Sequence, residues 1–412
     1  MFVALLWLLF LRANIHHNHQ SFTVWRLRFW TNDSSRRKLL NYISRLVQSS
    51  HLGGLMPRLS HTLLHSAYNV SPLLPLVLRE TRSLPSAINE LRWLREYVDK
   101  TTGYYLPNQK WRALLKLCKR RARGEPLQYI LGTQPFGDLE IKCQPGVLIP
   151  RPETEAYTAH VAKLLVKAKP FLYEKCQSRQ ESMKIIDFCS GTGCISLLLF
   201  SLLTNVYTKL EIVGLDISHK ALDVSNQNIL FNALKSSAQQ SISFEYADVL
   251  GEKQRILDRC QRVCDVIISN PPYISEDGFK KETTRSVRNW EPRLALVPNV
   301  SKLDTEFSDD DSENIYPMKT EDIFYHRLLH FHSLLKSKIL VMEVGDEAQA
   351  RRVIKMAMGS SDRIEIWRDW PDQHESGNEK ADYMLVGDHK VAVRGSGMVR
   401  AVVLLSNQHF KL

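Results

Sequence analysis

From Lys184 onward the chain repeats one unit: a short apolar run, a turn, an amphipathic stretch, and another apolar run. The apolar runs fall at Lys184 to Phe188, Glu211 to Leu215, Ile242 to Tyr246 and Val263 to Ser269, and helical periodicity fills Cys194 to Leu203 and Lys220 to Leu234. Strands that are apolar throughout and alternate with helices belong in a parallel sheet covered on both faces, so the expected architecture is α/β and doubly wound. A helix over Asp322 to Leu335 and a strand over Ile339 to Glu343 extend it, and Asp362 to Trp367 and Ala381 to Val386 are expected to supply closing strands. Such a sheet keeps its ligands outside the carboxyl ends of its strands, and the loops there carry the chemistry.

After the first of these strands comes Asp187-Phe188-Cys189-Ser190-Gly191-Thr192-Gly193, a turn of small residues that opens a helix at Cys194. Backbone N–H groups at a helix N-terminus form a seat for an anionic group. No lysine follows the glycines as in a P-loop, and Cys189 stands where the dinucleotide fingerprint has its first glycine, so phosphate binding is disfavoured. Asp216 ends the second strand, where an acid can accept from both ribose hydroxyls. Asp248, with Val249 beside it, follows the third strand and can receive an adenine amine. In this order the residues describe S-adenosylmethionine better than NAD, with Asp187 and the turn near its methionine end and cationic sulfonium.

The fourth strand leads into Ser269-Asn270-Pro271-Pro272-Tyr273. Two prolines fix φ, stiffen the residue before each, and offer no N–H. What remains is a row of acceptors, the Asn270 carboxamide oxygen and backbone carbonyls, with Tyr273 as an aromatic wall. A planar NH2 group suits such a row, giving one hydrogen to a side chain and the other to a carbonyl. Asn270, Pro271, Pro272 and Tyr273 are therefore the candidate catalytic segment, with Asn270 also beside the cofactor.

Upstream the pattern is helical. Ile88, Leu91, Leu94, Tyr97 and Val98 recur at helical spacing, and a second helix over Gln109 to Arg123 is expected to bury Trp111, Leu114, Leu115 and Cys118 while Lys116, Lys119, Arg120 and Arg121 face elsewhere. Phe136 to Ile149 reads as a hairpin, and Ile149-Pro150-Arg151-Pro152-Glu153-Thr154-Glu155 as a stiff junction and domain boundary, in which Thr154 can cap the first turn of a new helix. The net charge of +11 is concentrated at the start, where Asp33 is the only acid before Glu80. A stretch poor in acid and rich in Arg and Ser resembles an organellar presequence, and Met56 is an alternative start. Met1 to Phe10 is too short to span a bilayer. The seven cysteines form no CxxC pair and no zinc framework with histidine, so no metal is expected.

These segments together resemble the HemK/PrmC family, class I S-adenosylmethionine-dependent methyltransferases that act on a glutamine side-chain amide of peptide-chain release factors. The resemblance runs from about Leu84 to Gly387 and is carried by Arg121-Ala122-Arg123-Gly124-Glu125-Pro126-Leu127-Gln128-Tyr129, by Ile149 to Glu155, and by the Asp187 to Gly193 turn. Asn270 to Tyr273, Glu291-Pro292 with Ala295-Leu296, Asp322-Ile323-Phe324-Tyr325 and Met342-Glu343-Val344-Gly345 continue it. The Asn-Pro-Pro-Tyr motif is shared with adenine and guanine amino-methyltransferases, so a nucleic-acid amine is the alternative substrate, supported by the basic cluster from Lys116 to Arg123. The helical domain and the Gly-Glu-Pro and Ile-Pro-Arg-Pro segments are specific to the release-factor branch. What the resemblance implies is a Gly-Gly-Gln motif inserted between two domains, its glutamine amide held by Asn270 and the Pro271 carbonyl.

The implied organisation is a basic leader over 1–57, an N-terminal helical substrate-binding domain over 58–135, and a hairpin and junction over 136–155. A Rossmann-like, mostly parallel methyltransferase domain follows over 156–390, with an acidic insertion at 299–319 expected to be mobile, and then a C-terminal extension over 391–412. The leader resembles that of the mitochondrial branch, which implies a location in the mitochondrial matrix and the mitochondrial release factor as substrate; a monomer with no membrane or stable nucleic-acid partner is expected. Translation from Met56 would leave a cytoplasmic protein as the alternative.

Overall fold

The computed structural model describes residues 58–103, 106–173, 182–260, 263–299, 319–361, 363–373 and 382–406. The leader and nearly all of the acidic insertion lie outside the described residues. The chain divides into two compact units between Glu125 and Pro126.

The first unit is helical: α1 His61–Val70, α2 Leu74–Thr81, α3 Leu84–Thr102 and α4 Pro107–Ala122. Local chemistry sets each start. Ser60 and Ser83 accept from the third residue beyond them, and prolines occupy the first turns of α2, α3 and α4, where a missing N–H costs nothing. Leu74, Leu76, Val77, Leu78, Ala87, Leu91, Leu94, Leu114 and Cys118 are buried. On α4 the buried face includes Leu117, whereas Trp111 and Leu115 are only half-buried. The basic residues also differ from expectation. Arg121 is 8% exposed and donates to Glu90 at 2.7 and 3.2 Å, and Arg120 Nε donates to Glu125 at 2.8 Å. Arg120 and Arg121 are thus bound within the unit, because α3 and the turn after α4 bring acids to them.

The second unit opens with α5 Leu127–Leu131, a hairpin of β1 Thr133–Phe136 and β2 Leu139–Lys142, and α6 Pro152–Tyr173. There follow β3 Ser182–Phe188, α7 Cys194–Leu203, β4 Lys209–Asp216, α8 His219–Phe231, β5 Gln240–Tyr246, α9 Lys253–Arg259 and β6 Val266–Ser269. After α10 Glu276–Lys281 and α11 Arg285–Trp290 come α12 Ile323–Leu334, β7 Ile339–Glu343, α13 Glu347–Ala357, β8 Arg363–Trp370, β9 Asp382–Val386, β10 His389–Arg394 and β11 Ser396–Leu405.

The hairpin joins this unit, not the helical one, because Phe136, Leu139 and Ile141 pack into the core beneath the sheet, with Tyr157, Leu197 and Leu198. The Asn228 and Asn232 side chains also accept from the Lys142 and Glu140 backbone at 2.7 and 3.0 Å. The boundary therefore falls before the expected junction at Ile149 to Glu155.

Nine strands form one sheet in the order β5-β4-β3-β6-β7-β11-β8-β10-β9. The strands from β5 to β7 are parallel, and β11 is antiparallel to both neighbours. Alternate strand residues feed two cores: Ile185, Ile268 and Val341 on the α6 and α7 face, Ile186, Ile267 and Leu340 on the α12 and α13 face. The chain winds outward one way through β3, β4 and β5 and the other way through β6 and β7, so the order reverses between β3 and β6. Open α/β sheets take their ligands at such a reversal, and the loops after β3 and β6 lie there.

The expected closing strand forms over Asp382–Val386 and is the edge strand of the sheet, with Tyr383 and Leu385 exposed at 48% and 66%. The slot between β7 and β8 is taken by β11, from the stretch expected to be a C-terminal extension. Ala401 to Leu405 are apolar on both faces and at most 1% exposed, which suits an interior strand better than the half-polar edge sequence does.

Candidate active site

The turn after β3 is built for close approach. Cys189, Gly191 and Gly193 have φ of 61°, 55° and 77°, a left-handed run that only glycine adopts without cost. Ser190 N–H donates to the Leu215 carbonyl at 3.1 Å, and the Thr192 carbonyl accepts from Asn228 Nδ2 at 3.0 Å, tying the turn to β4 and α8. The Phe244 ring packs beneath, where a Cβ on Gly193 or Gly214 would collide with it.

Asp187 is fully buried. Its Oδ2 accepts from the Ser196 hydroxyl at 2.7 Å, whereas Oδ1 and the buried Ser190 Oγ have no hydrogen-bond partner among the described residues. Burial pushes the Asp187 carboxyl up to about 7, the Ser196 hydrogen bonds oppose it, and the nearby Asp216 charge adds to it. Two orphaned polar oxygens beside a glycine turn are the features a cationic, polar cofactor end would satisfy. The residues present fit S-adenosylmethionine.

Asp216 stands at the carboxyl end of β4, its Oδ2 accepting from Gly191 N–H and its Oδ1 from Ser218 N–H, both at 2.8 Å. Burial raises its carboxyl, and these backbone donors counter the rise. One acid thus ties the loops after β3 and β4 together, and each oxygen retains acceptor capacity for a hydroxyl. Asp248 Oδ1 accepts from Leu250 N–H at 3.0 Å, closing a turn that carries the buried Val249. Arg327 on α12 donates to the Val249 and Leu250 carbonyls at 3.0 and 3.3 Å and anchors that turn from below.

On the neighbouring strand, Ser269 Oγ donates to the Phe188 carbonyl at 2.8 Å, binding the end of β6 to the end of β3. Pro271 and Pro272 are buried, and Asn270 and Tyr273 half-buried. The structure thus brings the Asp187 to Gly193 turn and Asn270 to Tyr273 to neighbouring strand ends, with Asp216 and Asp248 at the next two in line.

Several residues here went unassigned in the sequence reading. Tyr273 hydroxyl donates to Glu343 Oε1 at 3.1 Å, and Thr154 hydroxyl to Glu343 Oε2 at 2.6 Å. Thr154 is therefore not a helix cap: α6 begins at Pro152, and the Thr154 hydroxyl is drawn to the buried acid instead. Gln349 Nε2 donates to the Tyr273 carbonyl at 3.1 Å. Glu291 accepts from Ile149 N–H at 3.1 Å and from Arg151 at 2.7 Å, which fixes the Ile-Pro-Arg-Pro segment. The sequence held a signal for Glu291 and Glu343, since both lie in the motifs that carry the family resemblance. Their partners lie 70 to 189 residues away.

A doubly wound sheet with this turn, these acids and this acceptor loop at its carboxyl edge is an S-adenosylmethionine-dependent methyltransferase. Residues 162–289 match the methyltransferase small domain, and residues 83–132 match the PrmC N-terminal domain. A probable mitochondrial N(5)-glutamine methyltransferase of the release factor MRF1 from Schizosaccharomyces pombe is 36% identical over 230 residues, covering 56% of this chain and 70% of that one. The mitochondrial MRF1 N(5)-glutamine methyltransferase of Saccharomyces cerevisiae is 35% identical over 242 residues, 59% of this chain and 68% of that one. A release factor glutamine methyltransferase of Lactococcus lactis is 33% identical over 209 residues, 51% and 64% of the two chains. The chain belongs to the release factor glutamine methyltransferase family.

Proposed function

We propose that this enzyme methylates the glutamine side-chain amide in the Gly-Gly-Gln motif of a mitochondrial peptide-chain release factor. The observation that carries the reading is the acceptor row Asn270 to Tyr273, placed at the reversal of strand order next to the Asp187 to Gly193 turn.

S-adenosylmethionine, when bound, supplies an electrophilic methyl group. The protein's part is to hold a weak nucleophile still. The Asn270 carboxamide oxygen accepts one amide hydrogen and the Pro271 carbonyl the other, so the nitrogen lone pair is aimed at the methyl and both acceptors strengthen as positive charge develops on nitrogen. Pro272 keeps the row rigid and Tyr273 walls it. The methylated cationic amide loses its proton readily, so no ionised general base is needed. On the cofactor side, Asp187, Cys189, Ser190, Gly191, Thr192 and Gly193 take the methionine end, Asp216 the ribose, and Asp248 with Val249 the adenine.

The helical unit serves as the substrate-binding domain in this reading, and the enzyme works as a monomer. The pairing of Arg120 and Arg121 within that unit supports a protein over a nucleic-acid substrate. Among the described residues no helix is long and apolar enough to cross a membrane. The two yeast relatives and the acid-poor first 79 residues support a mitochondrial location, in the matrix.

Labelled S-adenosylmethionine offered with the mitochondrial release factor or with RNA tests the chemistry. The expected result is a gain of one methyl group on the Gly-Gly-Gln peptide, and label found only in RNA would overturn it. Reporter fusions of Met1 to Arg82 and of Met56 to Arg82 test the location, which a diffuse cytosolic signal from both would refute.

A further inference from the structure

We propose that Glu343 and Gln349 are positioning residues that clamp Tyr273 at its hydroxyl and at its carbonyl, and so set where the Asn270 and Pro271 acceptors stand. The inference rests on the reading of that loop as the amide site.

The loop needs such ties. Pro271 and Pro272 have no N–H to donate, so neither can be tied down through a backbone donor, and their carbonyls are left for a ligand. Upstream the loop is held by the Ser269 hydroxyl on the Phe188 carbonyl. Downstream the side-chain ties fall on Tyr273. Two fixed φ angles make the intervening piece a stiff lever, so a displacement at Tyr273 is passed to Asn270 and not absorbed on the way.

Glu343 is placed where a carboxylate is costly. It ends β7, whose other residues, Ile339 to Met342, are apolar and buried, and it is itself 1% exposed. An acid in that setting survives only with donors around it. The Tyr273 and Thr154 hydroxyls supply them, at 3.1 and 2.6 Å. Arg400 on β11 acts on it through space while bonded to Asp369 at 2.8 Å, and Tyr157 on α6 also faces it. Burial raises both the Glu343 carboxyl and the Tyr273 hydroxyl, so the tyrosine stays a neutral donor.

Gln349 completes the clamp. It is 3% exposed, and its Oε1 accepts from Gly345 N–H at 2.9 Å. Its Nε2 donates to the Tyr273 carbonyl at 3.1 Å and to Asp322 Oδ1 at 3.0 Å, and Asp322 is itself paired with Arg352. Between the two grips lies Gly345, where even a Cβ would come within 3.1 Å of the Tyr273 ring. Glu343, Gly345 and Gln349 thus form a collar around one residue of the loop.

The test measures methyl transfer to the mitochondrial release factor by the full chain, with cofactor affinity by calorimetry and the melting temperature for each variant. Tyr273→Phe, Glu343→Gln and Gln349→Met should each lower kcat by about 10- to 100-fold, the range a displacement of about an ångström produces. S-adenosylmethionine affinity should stay within about twofold, since these residues do not touch the cofactor turn. The decisive arm is the double variant Tyr273→Phe with Glu343→Gln. If Glu343 acts through the tyrosine hydroxyl, the double variant is no slower than the slower single one. Multiplied losses, or losses that track cofactor affinity, would overturn the clamp. Should Glu343→Gln not fold, Gln349→Met at wild-type kcat would overturn it instead. Asn270→Ala separates this from the site reading: wild-type turnover there would remove the amide site and the clamp together. An inactive Asn270→Ala beside fully active clamp variants would remove the clamp alone.

Discussion

Cofactor affinity should depend on pH through one buried carboxyl, Asp187. The folded protein holds this group at about 7, against an ordinary value of 3.8, because it is fully buried with one oxygen unpartnered. The sign follows from proton counting. Between the two values the folded state keeps a proton that the unfolded state has released, so stability of the cofactor-free protein falls as pH rises through that window, by a few kcal/mol in all. A cationic ligand reverses the preference and binds best when Asp187 is ionised. About a tenth of the molecules are ionised at pH 6 and about nine tenths at pH 8, so affinity should rise roughly tenfold between them and then level off. Asp187→Asn keeps the shape and the Ser196 contact but cannot ionise. Calorimetric titration of both proteins with S-adenosylmethionine across this range is the assay, and the ligand's own ionisation is common to both. The variant should bind more weakly at pH 8 and show the smaller pH dependence. Parallel profiles would refute the reasoning.

Asn270→Ala should leave cofactor affinity within a few fold and lower turnover by at least about a hundredfold, a loss on the order of 3 kcal/mol, measured by single-turnover methyl transfer. Asp216→Ala should mainly raise the cofactor concentration needed, since it removes the proposed ribose acceptor and frees the Gly191 and Ser218 N–H groups, as titration calorimetry would show. Gly214→Ala would drive a methyl into the Phe244 ring and toward Ser190, and should destabilise the second unit by about 1–3 kcal/mol in thermal melts. Arg121→Ala should cost the helical unit about 3 kcal/mol, because it leaves Glu90, 15% exposed, without its ion-pair partner.

The parallel part of the sheet was legible because its strands are apolar on both faces and its helices are periodic. Cys194–Leu203 and Ile339–Glu343 fall where the pattern put them. So do the loops: the small-residue turn and the diproline are local chemistry, readable without a partner. Contacts across the chain were not. Arg121 looks like one more base on a solvated face until Glu90, 31 residues away, is folded against it. Thr154 looks like a cap because its hydroxyl suits one, yet a buried acid 189 residues away is a stronger acceptor. The role of β11 was missed for a different reason. Ala381 to Val386 offered a nearer and acceptable strand, and only burial on both faces distinguishes the interior one.

The place of β11 has a consequence for assembly. In the sheet, β7 and β8 are joined only through it, so β8, β10 and β9 have no hydrogen-bonded link to the catalytic strands until residues 396–405 are in place. The same strand brings Arg400 to the acid behind Tyr273, and its Arg400 carbonyl receives the Val344 N–H at 2.8 Å. The bonds to Tyr273 come from Glu343 and Gln349, whereas β11 reaches the same acid from behind, more than 120 residues further along the chain than the acceptor loop. The last described strand of the chain is thus a wall shared by the catalytic half of the sheet and the edge half, and a change in its apolar run would be felt by both.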